Sequence, residues 1–176
     1  MSIWDFSKFE SIEDSSQFVK ELIQAEVDSF NSYTNRKVIA EFGEIHSSNQ
    51  TVRNAKAIID AISETGVIYN NSSTLKNANK LYSSELYGFE IHDNNYKFRV
   101  FEIKISVSFP MEIILDSDIY EEDSIKMIRA GAVDAGNNKI FVGTKDLLVK
   151  VLGYILNNRK VIYIISRMLS ENNKDE

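Results

Sequence analysis

The spacing of apolar residues in this 176-residue chain predicts an α+β fold, with amphipathic helices packed on a mainly antiparallel sheet and a helical hairpin at the carboxyl end. From Phe101 onward every odd residue is apolar, through Ile103, Ile105, Val107, Phe109, Met111, Ile113 and Leu115, while the residues between are mostly polar. A period of two over that length places one face of a strand on a core and the other toward water, so the long strands fall within 86–115. Elsewhere apolar residues recur three and four apart, at Phe18, Val19, Leu22, Ile23, Val27 and Phe30 and again at Leu147, Leu148, Val151, Leu152 and Ile155, which gathers each set on one helix face. The length suits a single domain over 1–176, and a hydrophobic fraction of 43% with 26% charged residues is that of a globular chain.

In chain order, Trp4, Phe6 and Phe9 read as an amino-terminal arm docked on the core. Asp14 followed by Gln17 has the spacing of a capping box and opens a helix to about Ser32. Lys37 to Phe42 reads as a strand ending at Gly43. Val52, Ala55, Ile58, Ile59 and Ile62 predict a helix over 51–64, capped by Gly66, and Val67 to Tyr69 a short buried segment. Leu75, Ala78, Leu81 and Tyr82 support a further helix near 74–83.

Leu86 to Ile91 and Tyr96 to Ile105 are then predicted to pair antiparallel across Asp93-Asn94-Asn95, because asparagine tolerates positive φ. In the second strand the apolar face changes sides between Val100 and Phe101, which requires a bulge or burial on both faces. Pro110 cannot donate to a ladder, so the run to Leu115 is two consecutive strands or one edge strand bent there. Residues 116–123 read as a charged loop, followed by a helical turn or two over Ser124 to Gly131 and more loop through Asn138. Lys139 to Val142 reads as a strand. Thr144 and Asp146 start a helix that stops at Asn157-Asn158. Val161 to Leu169 suits a strand by its β-branched run and a helix by the spacing of Val161, Ile164, Ile165, Met168 and Leu169; continuation of the pattern to Glu171 favours the helix. Residues 172–176 read as a frayed tail, and five Asn-Asn pairs, at 70, 94, 137, 157 and 172, mark turns.

The net charge of -6 is spread unevenly. Lys and Arg stand against Asp and Glu as 4 to 9 over residues 1–48, 7 to 6 over 49–110, 2 to 7 over 111–138 and 7 to 4 over 139–176. Overall such a chain repels nucleic acid and is steered toward basic protein surfaces. With no cysteine there is neither a disulfide framework nor a thiolate nucleophile. No apolar run approaches the roughly 20 residues of a membrane helix, and the amino terminus lacks a basic segment followed by an apolar one, so the expected location is cytoplasmic.

The expectation for chemistry is no catalytic site, no metal and no cofactor. His46 and His92 form no ligand pair by local spacing, and neither a Gly-x-Ser-x-Gly elbow nor a phosphate-cradling glycine loop occurs. Asp116-x-Asp118-x-Tyr120 begins like a calcium loop, yet Glu121 stands where the turn glycine belongs and Met127 where the bidentate glutamate belongs. Glu102-Ile103-Lys104 on a strand resembles the Glu-x-Lys half of the PD-(D/E)xK nuclease motif, which implies a divalent metal on the carboxylate and water activation by the amine, with Glu90 or Asp93 as the acidic partner. The order helix, helix, hairpin over 51–105 resembles a winged helix-turn-helix, with Lys76 and Lys80 on the second helix and Lys97 and Arg99 near the wing. Against both stands a third reading, a non-catalytic binding module that meets a basic partner through Asp116, Asp118, Tyr120, Glu121, Glu122 and Asp123. In general character a small acidic protein without a catalytic constellation resembles an immunity protein or antitoxin, which neutralises a nuclease-type toxin by covering its phosphate-binding surface.

Overall fold

A computed structural model describes residues 14–45 and 84–172. The arm with Trp4, Phe6 and Phe9, His46, the helices expected over 51–64 and 74–83, the segment Val67 to Tyr69 and the tail beyond Asn172 lie outside the described residues. The described chain is α+β: six antiparallel strands and four helices, the last two forming the carboxyl-terminal pair.

Helix α1 spans Ser15–Tyr33 and buries Val19, Ile23 and Val27, the stripe that its spacing foretold. Its cap is Asp14, whose carboxylate accepts from the Ser16 N–H at 2.9 Å. The reciprocal half of the expected capping box is absent, because the Gln17 amide turns forward along the helix to Glu21 at 2.7 Å. After a turn in which Asn35 and Arg36 both take positive φ, strand β1 spans Ile39–Glu44 and pairs with β2, Glu85–His92. Strand β3, Lys97–Ile105, returns beside β2. The Asp93 carboxylate shapes the turn between them by accepting from the N–H groups of Asn95 and Tyr96, at 2.8 and 2.7 Å.

The predicted phase change in β3 is a bulge. Phe89 faces Phe101 and Glu90 faces Arg99, which leaves Val100 as the extra residue and turns both Val100 and Phe101 into the core. Phe89 and Phe101 stack with ring centroids 5.3 Å apart. Past Ile105 the apolar alternation does not continue as one strand. The chain turns through a cis Phe109–Pro110 bond, and β4, Met111–Leu115, pairs antiparallel with β3. Neither strand is at an edge, since the sheet order is β1-β2-β3-β4-β6-β5.

Two loop expectations are corrected. Residues 117–129 form a full helix, α2 (Ser117–Arg129), capped by Asp116, and Val133–Gly136 is a strand, β5, joined to β6 (Lys139–Val142) by Asn137-Asn138 with both residues at positive φ. Two positive-φ residues make a two-residue turn whose twist matches a hairpin. Helix α3, Lys145–Leu156, is capped by the Thr144 hydroxyl, and helix α4 occupies Arg159–Asn172. Asn172 ends α4 and its side-chain amide donates to the Lys37 carbonyl at 2.7 Å. Apolar residues from all four helices join the inward face of the sheet in one core. No helix among the described residues is long and apolar enough to cross a membrane.

Candidate functional site

Helix α2 carries the acidic run, and a helix distributes those side chains at about 100° per residue instead of exposing them all. Ile119, Asp123 and Met127, four apart, point inward and are buried. Asp118, Glu121, Ile125 and Ile128 fall on the outward stripe, with Glu122 beside them; Ile125 is 60% exposed and Ile128 39%.

The six predicted contact residues therefore separate by role. Asp116 is the helix cap, accepting from the Asp118 N–H at 3.0 Å, and it shares the Lys160 ammonium with Asp118, both at 2.7 Å. Lys160 comes from the first turn of α4 and also lies over the Phe98 ring, 5.4 Å from its centroid. Burial works against its charge, but the hydrogen bonds and charges of Asp116 and Asp118 outweigh that cost and keep the ammonium protonated above the usual lysine value. Asp123 is 3% exposed; its carboxylate accepts from Lys126 and, at 2.7 Å, from the Asn158 amide. Asn158 also reaches Glu122 at 3.2 Å, so one turn residue between α3 and α4 anchors α2 at two points. The Tyr120 ring packs on the core and its hydroxyl donates to Asp134 at 2.6 Å, a bond that raises the phenol and lowers the carboxylic acid in pKa. Glu121 shares the outward stripe with Asp118 and, alone of the six, makes neither an ion pair nor a side-chain hydrogen bond among the described residues.

Sequence reasoning missed Asn158, Arg159 and Lys160, which meet the acidic run from 35 to 44 residues further along the chain, and Ile125 and Ile128, which continue its outward stripe. Positions 118, 121, 125 and 128 have helical spacing, and that signal was present once the run was taken as a helix.

The strand pair Glu102 and Lys104 lies on the outer face of the sheet, as its spacing requires, and both groups are engaged. Arg99 bridges Glu90 and Glu102, at 2.8 and 2.6 Å, Lys97 adds a second pair to Glu90, and Lys104 meets Glu112 at 2.6 Å with Lys139 at 3.5 Å. Glu90 and Glu102 are thus held by a guanidinium, and Lys97 and Arg99 of the expected wing face carboxylates of their own sheet. The other elements of the winged-helix resemblance lie outside the described residues. Among the described residues no group of three or more His, Asp or Glu side chains is arranged to hold a metal. His92 sits 3.5 Å from Glu41 at the outer edge of β1.

Compared with models of protein families, with curated proteins and with solved structures, the chain matches none.

Proposed function

We propose that this protein is a non-catalytic protein-binding module whose contact surface is the outward stripe of α2, and that its partner presents a basic face, in the manner of a toxin held by an immunity protein or antitoxin. The observation that carries the reading is the composition of that stripe. Two large aliphatic side chains, Ile125 and Ile128, stand in water beside Glu121, with Asp118 and Glu122 at the same end of the helix. An interface gains most from apolar side chains that are desolvated on contact, while rim carboxylates steer the approach and select the sign of the partner. Asp116, Asp118 and Glu122 are partly neutralised by Lys160 and Arg159, so the uncompensated charge is small and the apolar pair carries the larger share of affinity. In this reading the module acts in the cytoplasm and takes no cofactor.

The test is capture from a nuclease-treated native lysate at two salt concentrations, using the wild type and a Glu121→Lys/Ile125→Asp variant. Both positions are exposed, so the variant is expected to fold with stability changed by less than about 0.5 kcal/mol. The expected result is one near-stoichiometric basic protein, weakened at the higher salt and lost with the folded variant. Equal capture by wild type and variant, or no basic protein at all, overturns the proposal.

A further inference from the structure

Two charges on the outward side of α2 have no partner in their own fold. Asp118 is held by Lys160, Glu122 by Asn158 and Arg159, and Lys126 by Asp123. Glu121 and Arg129, by contrast, make neither an ion pair nor a side-chain hydrogen bond among the described residues. They are opposite in sign and flank one apolar residue: Glu121, Ile125 and Arg129 lie four apart along a single row of the helix, and all three are exposed. Ile125, the midpoint, is 60% exposed, and Ile128 stands beside it.

A row that is acidic at one end, apolar at its midpoint and basic at the other is complementary to itself reversed. Helices pack most often with their four-apart rows laid along one another, crossing at about −50°. A twofold axis in the contact plane, perpendicular to that row at Ile125, then sets Glu121 of each copy against Arg129 of the other. A surface that is only basic would satisfy Glu121 and leave Arg129 facing like charge, whereas a second copy satisfies both. This symmetry of sign and spacing identifies the occupant.

We infer that α2 docks on α2 of a second copy of this chain, antiparallel about a twofold axis at Ile125. Ile125 and Ile128 lose water at the centre, and the Glu121–Arg129 pairs at the two ends set the register. The inference rests on the reading of this stripe as a contact surface but not on a basic partner, and it makes the dimer a resting state that such a partner has to displace. A contact of one 13-residue helix per copy buries less than the roughly 800 Å² a side of standard complexes, so the dimer is expected to be reversible, dissociating in the micromolar range or above.

The test is sedimentation equilibrium of the full chain from about 1 μM to 1 mM. It compares the wild type with Glu121→Arg, Arg129→Glu, the exchange Glu121→Arg/Arg129→Glu, and Ile125→Asp, each checked for folding by circular dichroism. A wild-type dimer is expected, weakened at least about fivefold by either single charge change, which sets like charges together at both ends. The exchange should restore association to within about twofold, and Ile125→Asp should abolish it. If Arg129→Glu does not fold, Glu121→Arg and Ile125→Asp decide the matter. A wild type monomeric throughout, a dimer that Ile125→Asp leaves intact, or an exchange no tighter than the single changes overturns the proposal. A monomeric wild type that still captures a basic protein, lost with Glu121→Lys/Ile125→Asp, overturns the dimer alone; a dimer with this charge dependence and no captured protein overturns the basic-partner reading alone.

Discussion

A buried carboxylate persists in a folded protein only where partners replace the water it has lost. Asp123 has Lys126 and Asn158 in that role, and because Asn158 lies in the turn between α3 and α4 the contact ties three helices at one point. Replacing Asp123 by Ala removes the shorter of the two hydrogen bonds of the buried Asn158 amide, leaving only the 3.2 Å bond to Glu122, and is expected to cost about 1–3 kcal/mol, measured by urea unfolding. The same replacement at exposed Glu121 should cost less than about 0.5 kcal/mol. An Asp123→Ala protein as stable as the wild type would show that the amide finds another partner. As letters in the chain, Glu121, Glu122 and Asp123 are alike; what separates them is the angle each takes on the helix, with Asp123 in line with Ile119 and Met127.

The elements were legible wherever spacing and caps agreed. The stripes of α1 and α3, the bulge at Val100 and the Asp93 turn follow from local pattern. The charge run over 116–123 reads as a loop, with a helical turn or two only from Ser124, because a dense block of like charge is usually a solvated segment. The placement of the charges argues otherwise: Asp116 caps the helix, Asp118 sits in its first turn, and Lys126 and Arg129 sit in its last, each sign matched to the helix dipole. At the edge of the sheet the Asn31 side chain imitates a neighbouring strand, donating to the Ala40 carbonyl at 3.0 Å and accepting from its N–H at 2.7 Å. Asn31→Ala removes both bonds and uncovers the edge backbone. The expected loss is about 2 kcal/mol, or roughly 4–8 °C in Tm, with a greater tendency to associate. A melting temperature within 1 °C of wild type, at roughly the precision of the measurement, would remove the edge-protection argument.

Across the whole molecule the outer face of the sheet is crossed by alternating charges, from Glu90, Lys97, Arg99 and Glu102 to Lys104, Glu112 and Lys139. Burial opposes ionisation of Glu90, but Lys97 and Arg99 outweigh it, and Lys104 is the chief cause at Glu112; both carboxyls are held below the ordinary glutamate range. A depressed folded pKa contributes stability that is present above the unfolded value, about 4.3, and is lost as the pH falls through the folded value. The double variant Glu90→Gln/Glu112→Gln should therefore be less stable than wild type at pH 7 by about 1–2 kcal/mol, allowing for partial exposure of the cations. That difference should shrink below about pH 4.3, as measured by denaturant unfolding across pH. A constant difference from pH 7 to pH 3 would count against the ion pairs as its source.

By itself the sequence determined the fold class, most of the helices and the alternation that divides the sheet into an apolar and a charged face, because each follows from the spacing of neighbours a few residues apart. It also carried the uneven spread of charge along the chain. Only the tertiary structure decided which of the acidic residues are engaged within the fold and which face solvent. Lys160 reaches Asp116 across 44 residues of chain and Asn158 reaches Asp123 across 35, so the run that looks densest on paper is partly spent inside the fold.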